Sequence, residues 1–157
     1  MYYIKALHSA KALTVSSMND GAEIRQHSPG SLVDTISKLQ QFRVVDYGNG
    51  VESYMLHRPI KNKNGASVYG CISRSGPYAG DRLIIRECDN GFFQQWKYAQ
   101  VGPGVHYEIR GVASDFYWHV QNESMADGAR VLQWPGPGGY NARFRWTYAY
   151  SMPTINS

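Results

Sequence analysis

The stretch "GARVLQWPGPGGYNARFRWTY", residues 128–148, decides the fold. It contains two runs rich in aromatic and branched residues, separated by a turn of two prolines and three glycines. Such runs with a Gly/Pro break between them are typical of short β-strands. Trp134 precedes the turn and Trp146 follows it. Whether Trp134 belongs to a core or to an exposed binding surface depends on how this pattern recurs along the chain.

Three landmarks recur in the same order along the chain. A tyrosine two residues before an aliphatic residue opens each unit, a glycine opens a later strand, and an aromatic residue closes the unit. The opening tyrosines are 52 and 53 residues apart. A constant period of this kind indicates structural repeats that share one core. The landmarks are Tyr2, Tyr54 and Tyr107; Gly21, Gly80 and Gly128; and Phe42, Trp96 and Trp146.

Each repeat is predicted to contain about four short strands. In the third repeat these are "HYEIRG", "FYWHVQN", "ARVLQW" and "FRWTY". One such unit cannot bury its apolar face alone, so three units must close around a shared core. The sequence therefore predicts a single all-β domain over residues 1–157, a closed barrel of twelve strands. Its repeats are approximately 1–52, 53–104 and 105–157.

Composition and charge exclude several classes of protein. The 157 residues carry a formal net charge of +4, and the densest basic segment, "HRPIKNKNG" at 57–65, is short. Nucleic-acid binding surfaces are more concentrated than this, so no nucleic-acid partner is expected. No run approaches the roughly 18 apolar residues of a membrane span, and the first residues lack a signal-peptide core. We expect no membrane insertion, and a protein that is cytoplasmic or secreted without a signal peptide.

Two cysteines, Cys71 and Cys88, are too few for a disulfide-dependent scaffold and do not form a zinc motif. In a cytosolic protein two buried free thiols are favoured. The alternative is one bridge, whose loop closure would stabilise the fold by about 3 kcal/mol. Neither a metal nor a cofactor is expected. The chain has no nucleophile elbow and no phosphate-binding glycine motif, so it is not expected to be an enzyme.

The order of these residues resembles the ricin B-type β-trefoil lectins. The likeness rests on residues 128–146 and on "QQWKY", 94–98, which is similar to the Gln-x-Trp motif that ends each lectin repeat. "QQFRV", 40–44, is a variant of the motif with phenylalanine. The likeness covers essentially the whole chain and is strongest in the third repeat. It implies a β-trefoil fold and glycan binding, with Phe42, Trp96 and Trp146 in the core.

Strand alternation predicts that Trp134 faces solvent. A sugar presents an apolar C–H face and many hydroxyls, so its site needs an exposed aromatic ring and fixed polar groups. Counting from the strand-opening glycines, His27, Arg86 and Trp134 occupy equivalent positions. Histidine and arginine are rarely buried without a partner, so this position is expected to lie outside the core.

The third repeat also carries candidate polar partners. The main site is predicted to consist of His119, Gln133, Trp134, Tyr140 and Asn141, with Asp115 and Asp127 as further candidates. His119 stands where the lectins that the chain resembles commonly carry aspartate. Histidine lacks the two acceptor oxygens of a carboxylate, so a galactose preference is not implied. In the first repeat, Thr14, Gln26 and His27 are predicted to form a weak second site.

Two functions from different classes fit the sequence. The first is a glycan-binding lectin, with weak single-site affinity raised by multivalency, for which a homodimer is one route. The second is a β-trefoil protease inhibitor that presents an exposed loop. Its candidate loops are "SPGSLVDTISK", 28–38, and "NKNGAS", 62–67.

Overall fold

The computed structural model describes residues 1–30, 38–102 and 104–149. These residues form short β-strands and three single-turn 3-10 helices. The strands are β1 Tyr2–Ala6, β2 Ala12–Val15, β3 Ile24–His27, β4 Phe42–Gly48, β5 Val51–Leu56, β6 Ile60–Lys61, β7 Ser67–Val68, β8 Gly70–Arg74, β9 Leu83–Glu87, β10 Trp96–Gln100, β11 Tyr107–Gly111, β12 Phe116–Val120, β13 Val131–Pro135 and β14 Phe144–Tyr148. The 3-10 helices are η1 Phe92–Gln94, η2 Gln121–Glu123 and η3 Tyr140–Ala142.

Six of the strands close into a barrel. The antiparallel pairs β1–β14, β4–β5 and β10–β11 are joined into a ring by the contacts β1–β4, β5–β10 and β11–β14. Three further hairpins, β2–β3, β8–β9 and β12–β13, attach to this ring through β1, β5 and β11. This is the predicted β-trefoil, and its main sheet has the predicted twelve strands.

The strand-opening glycines obey the threefold symmetry. Gly21, Gly80 and Gly128 have φ angles of 89°, 85° and 87°, which only glycine adopts readily. Each glycine N–H donates to the carbonyl of a residue in the next repeat, at 2.7, 2.7 and 2.8 Å. These bonds join the three hairpins in a cycle. Each glycine therefore fixes the start of its own strand and the junction between two repeats.

The register of the second repeat differs from the prediction by two residues. In each repeat the first strand ends at a residue that pairs with a closing aromatic. These pairs are Leu56 with Phe42, Gly111 with Trp96, and Ala6 with Phe144. Counting back from these pairs aligns Glu52, not Tyr54, with Tyr2 and Tyr107. Tyr54 instead aligns with Ile4 and Ile109, and all three are fully buried. Tyr54 is therefore a core residue and not the second-repeat counterpart of Tyr2.

The closing aromatic of the third repeat is Phe144, two residues before the predicted Trp146. Phe42 and Trp96 are fully buried, as predicted, but their structural counterpart is the fully buried Phe144. Trp146 is only partly buried and lies against the core, with its ring centroid 4.5 Å from that of Tyr107. Side chains two apart on a strand share a face, so periodicity alone could not choose between Phe144 and Trp146.

The two cysteines are bonded to each other, which corrects the expectation of free thiols. The Cys71–Cys88 S–S distance is 2.01 Å, and the Cα atoms are 5.1 Å apart. Cys71 lies opposite Arg86 in the β8–β9 hairpin, so Cys88 follows only two residues later on the adjacent strand. Hairpin pairing brings the two residues within the range that a disulfide requires.

The insertion "NKNGAS" forms a small ribbon outside the barrel. Strands β6 and β7 pair there, and the Asn62 side chain accepts hydrogen bonds from the N–H groups of Asn64 and Ala66, each at 3.0 Å. In the other loop proposed for an inhibitor, 28–38, positions 31–37 lie outside the described residues. Within the described part of the chain, no helix has the length and apolarity to cross a membrane.

Candidate functional site

Trp134 lies on the outer face of β13, as predicted. Its side chain is 51% exposed, whereas Val131 and Gln133 on the same strand are fully buried. The equivalent residues, His27 and Arg86, are partly exposed. Trp134 follows these buried residues on β13 and turns its ring outward, so the strand rather than a core positions it.

A neighbouring repeat supports the tryptophan ring from below. A Cβ atom at Gly80 would lie 3.6 Å from the ring atom Cζ3 of Trp134, so the ring lies directly over this glycine. The Gly80 N–H donates to the carbonyl of Gln133 at 2.7 Å. Trp134 therefore sits at the junction of the second and third repeats, where both repeats fix its position.

A pocket of about 370 Å³ opens beside Trp134. This volume lies within the range of small-ligand sites. Val120 and Leu132 contribute apolar surface, and the polar residues come from β12, the loop after it and η3. The polar lining residues are His119, Gln121, Asn122, Glu123 and Asn141. The pocket thus joins an exposed aromatic ring to amide, imidazole and carboxylate groups.

His119 lines this pocket and also holds the Pro/Gly turn. Its Nε2 atom lies 3.0 Å from the carbonyl oxygen of Gly136, so this nitrogen carries the proton and donates. A Cβ atom at Gly138 would lie 2.6 Å from Cε1 of His119. The imidazole therefore occupies the space where a side chain at position 138 would lie. His119 does not act as a simple replacement for a carboxylate, because one of its nitrogens already serves the backbone.

Gln133 is buried and bonded within the protein, which removes it from the predicted site. Its side chain is fully buried, and its amide nitrogen donates to the carbonyls of Gly76 and Tyr78 at 3.0 and 2.6 Å. Gln26 does the same in the first repeat, donating to Ser124 and Ala126 at 2.8 and 2.9 Å. Both glutamines point inward and tie their hairpin to the neighbouring repeat.

The two η3 residues of the predicted site point to different sides. Asn141 is almost fully buried, lines the Trp134 pocket, and donates from Nδ2 to the carbonyl of Val120 at 3.0 Å. Tyr140 is 62% exposed and lines a second pocket together with Arg143. The structure therefore brings His119, Trp134 and Asn141 together and places Tyr140 elsewhere.

Neither aspartate candidate lines the Trp134 pocket. Asp127 reaches toward the first repeat, where Oδ1 accepts hydrogen bonds from Lys11 Nζ and from the Ser28 N–H, at 3.0 and 2.9 Å. The Lys11 ammonium and this N–H hold the pKa of Asp127 below its usual value. Asp115 is exposed and lies 3.6 Å from Arg110. Sequence proximity misled here, because the loop before Gly128 crosses to the next repeat.

The weak second site of the first repeat is not assembled. Thr14 is buried, donates to the carbonyl of Ala12 at 3.0 Å, and accepts from Gln40 at the same distance. The Gln26 side chain donates hydrogen bonds to the carbonyls of Ser124 and Ala126. Only His27 is left partly exposed at the surface. The three predicted residues therefore do not form a shared exposed surface, because Thr14 and Gln26 are buried and bonded within the protein.

The polar lining residues that the sequence reasoning missed are Gln121, Asn122 and Glu123. They lie in η2, where Asn122 and Glu123 have φ angles of 56° and 53°. A comparison of loop lengths could have found them. Seven residues separate Val120 from Gly128, whereas five separate Val15 from Gly21. The extra residues bring a carboxylate to the pocket at a place where the other repeats have none.

The turn after Trp134 differs from its counterparts in how it is held. In the other repeats, the side chain of the motif's first glutamine accepts a hydrogen bond from a backbone N–H in the turn after the third strand. The Gly30 N–H donates to Gln40 at 3.0 Å, and the Asp89 N–H donates to Gln94 at 2.9 Å. The third repeat has Ala142 at the glutamine position and Pro137, which has no N–H, at the donor position. The third repeat therefore has neither the donor nor the acceptor of this hydrogen bond. The rigid prolines and the hydrogen bond from His119 to Gly136 hold the turn in its place.

Comparison with known proteins identifies the family. Residues 38–134 match the family described as ricin-type beta-trefoil lectin domain-like, which is more than half of the chain. The chain therefore belongs to this family. No curated protein matches it. In the described residues, no group of three or more His, Cys, Asp or Glu side chains is arranged to hold a metal ion.

Solved structures show the same fold. ThreeFoil, a designed 3-fold symmetric protein, is 28% identical, with 94% of this chain and 97% of that chain covered and a TM-score of 0.77. The exo-beta-1,3-galactanase 1,3Gal43A from Clostridium thermocellum is 24% identical over 93% of this chain and 29% of its own, with a TM-score of 0.76. The Macrolepiota procera ricin B-like lectin, in complex with lactose, is 14% identical over 92% of each chain, with a TM-score of 0.68.

Proposed function

We propose that the protein is a lectin that binds glycans without modifying them, through the Trp134 pocket of the third repeat. The observation that carries the proposal is the combination of a half-exposed tryptophan and five polar residues around one pocket. The family supports it, as do the fold neighbours from Macrolepiota procera and the earthworm, which are in complex with lactose and with GalNAc.

Each group of the pocket has a chemical role toward a sugar. The indole ring of Trp134 packs against the apolar C–H face of a pyranose ring. The Glu123 carboxylate accepts hydrogen bonds from hydroxyls, and the Asn122 and Gln121 amides can both donate and accept. The positions of His119 and Asn141 are fixed by their bonds to the backbone. Neutral sugars are favoured, because the one charged residue among the described residues that line the pocket is a carboxylate.

The same lining argues for binding rather than glycoside hydrolysis. Most glycosidases place two carboxyl groups across the scissile bond, one of them as the general acid. Glu123 is the only carboxylate among the described residues that line this pocket. A single exposed carboxylate can orient a hydroxyl but lacks the second group of that mechanism.

A glycan array followed by titration of the best neutral ligand tests the proposal. Trp134→Ala is expected to weaken binding at least about tenfold, because the aromatic platform is lost. Its melting temperature should change little, because the ring is half exposed. Phe92→Ala is the matched control, since Phe92 is an exposed aromatic of the second repeat, 65% accessible. Equal affinities for Trp134→Ala and the wild type would refute this site.

A further inference from the structure

A second pocket lies on the other side of η3. It has a volume of about 610 Å³ and is formed by the turn after β1, the β10–β11 hairpin and the residues around η3. None of its lining residues belongs to the Trp134 pocket. The side chains that line the second pocket include those of Leu7, His8, Val101, His106, Tyr140 and Arg143.

The charge of this pocket is opposite to that of the Trp134 pocket. No aspartate or glutamate is among the described residues that line it, and Arg143 supplies a permanent positive charge. The Arg143 guanidinium carbon lies 5.3 Å from the centroid of the Tyr140 ring. Its Nε is buried, with no hydrogen-bond partner among the residues that the structure describes. A guanidinium without a carboxylate partner is suited to a planar or tetrahedral oxyanion.

His8 adds a hydrogen-bonding group of defined type. Its Nε2 atom lies 2.7 Å from the carbonyl oxygen of Ser124, so Nε2 carries the proton. In the neutral ring Nδ1 is then an acceptor, and it too is buried without a partner in the described part of the chain. The fold leaves this hydrogen-bonding capacity unused, which is uncommon for buried polar atoms.

The walls of the pocket fit a sugar ring better than a bare ion. Tyr140 is 62% exposed, and Leu7 and Val101 add apolar surface. The volume is in the range of small organic ligands and far above that of a single sulfate. An aromatic ring beside a guanidinium can contact the C–H face of a pyranose and its acidic substituent together.

We propose that this pocket binds a sugar residue that carries an anionic group, a carboxylate or a sulfate ester. The proposal rests on glycan binding as the proposed function and adds a second, chemically different site to it. Asn141 lines the Trp134 pocket, while Tyr140 and Arg143 line this one. The short η3 segment therefore separates a site for neutral sugars from a site for acidic sugars.

Titration with matched monosaccharides tests the proposal. The probes are methyl β-glucuronide against methyl β-glucoside, galactose 6-sulfate against galactose, and sodium sulfate alone, followed by calorimetry and by NMR shifts of His8 and His106. An acidic sugar is expected to bind at least about tenfold more tightly than its neutral partner. Sulfate alone is expected to bind more weakly than galactose 6-sulfate, because it cannot contact Tyr140.

Two arginine variants separate a specific site from general charge. Arg143→Gln is expected to abolish the preference for acidic sugars. Arg145→Gln removes the same charge two residues away, at an exposed position outside the pocket, and is expected to keep the preference. Equal losses in both variants would overturn the proposal, as would sulfate binding as tightly as the sulfated sugar. If Arg143→Gln does not fold, Tyr140→Ala replaces it with the same expectation.

Trp134→Ala distinguishes this proposal from the proposed function. Retained binding of acidic monosaccharides in that variant supports a separate site. Loss of acidic binding in Trp134→Ala would refute the second site and leave the first one standing. Conversely, Arg143-dependent binding of acidic sugars without any Trp134-dependent binding would refute only the Trp134 site.

Discussion

The second and third repeats occupy equivalent places in the trefoil but hold their third-to-fourth-strand connections in different ways. The second repeat uses the Cys71–Cys88 disulfide and two hydrogen bonds of Gln94, which accepts from the Asp89 N–H and donates to the Glu87 carbonyl. The third uses prolines, the His119–Gly136 hydrogen bond and the packing of His119 against Gly138. The same connection can thus be stabilised by a disulfide bond in one repeat and by rigid proline residues in another.

The difference leaves a pocket beside Trp134 in the third repeat, which is the proposed glycan site. In the second repeat, Cys71 and Arg86 lie opposite each other where the third has Tyr117 and Trp134. Ser73, the counterpart of His119, is fully buried. The loop after β8 is also two residues shorter than the loop after β12. In the second repeat a disulfide cross-links the β8–β9 hairpin, whereas the third repeat combines a rigid turn with an open pocket.

Removal of the disulfide is expected to have the largest effect on stability. Cys71→Ser together with Cys88→Ser should lower the free energy of unfolding by about 3 kcal/mol, because the bridge closes a loop with a separation of 17 residues. Urea unfolding of the variant measures the loss, and wild-type protein with reductant is the control. Glycan binding at Trp134 should be retained. A loss of binding would show that the two repeats are not independent.

Replacement of Glu52 is expected to have the next largest effect, and the effect should depend on pH. Burial raises the pKa of this carboxyl from 4.5 to about 7, although a hydrogen bond from Tyr54 opposes the shift. The folded state then binds more protons than the unfolded state between these values. The wild type should therefore lose about 2 kcal/mol of stability as the pH rises from about 4.5 to 7.

Glu52→Gln removes this titration and should flatten the dependence of stability on pH. Chemical unfolding at pH 4.5, 6 and 8 measures it. The third repeat offers the control, because Tyr107 stands at the equivalent position, and Tyr107→Phe should leave the pH dependence of the wild type unchanged. A variant whose stability still fell by 2 kcal/mol over this range would contradict the assignment to Glu52.

An alanine substitution in the Pro/Gly turn is expected to give the smallest change in stability. It should also affect binding, because the turn contacts His119. In Gly138→Ala the new methyl group would lie 2.6 Å from Cε1 of His119 and 2.9 Å from Cβ of Ala142. His119 must move, so we expect a loss of about 1–2 kcal/mol and weaker glycan binding. Thermal unfolding and titration measure the two effects.

Gly139→Ala is the matched control for this substitution. Its nearest neighbour would be Oδ1 of Asn141 at 3.7 Å, an ordinary contact, and the φ of Gly139 is −77°. Adjacent glycines should thus differ in their tolerance of one methyl group. Equal behaviour of the two variants would mean that the turn adapts and that His119 is not held by Gly138.

Spacing and strand alternation predicted much of the fold and part of the site. The positions of Gly21, Gly80 and Gly128 were correct, because a left-handed backbone requires the same residue in each repeat. The exposure of Trp134 followed from the residue types of its counterparts. The register of Tyr54 and Trp146 was wrong by two residues, because a shift of two keeps a side chain on the same face of a strand.

The rest of the site depended on contacts between repeats, which spacing does not encode. The sequence by itself determined that three units share one core, since each unit is too small to bury its apolar residues alone. It also determined that Trp134 lies outside that core. Only the tertiary structure decided that Gln133 and Asp127 serve neighbouring repeats and that Glu123 reaches the pocket. The physical reason is that side chains from loops distant in sequence meet only when the barrel closes.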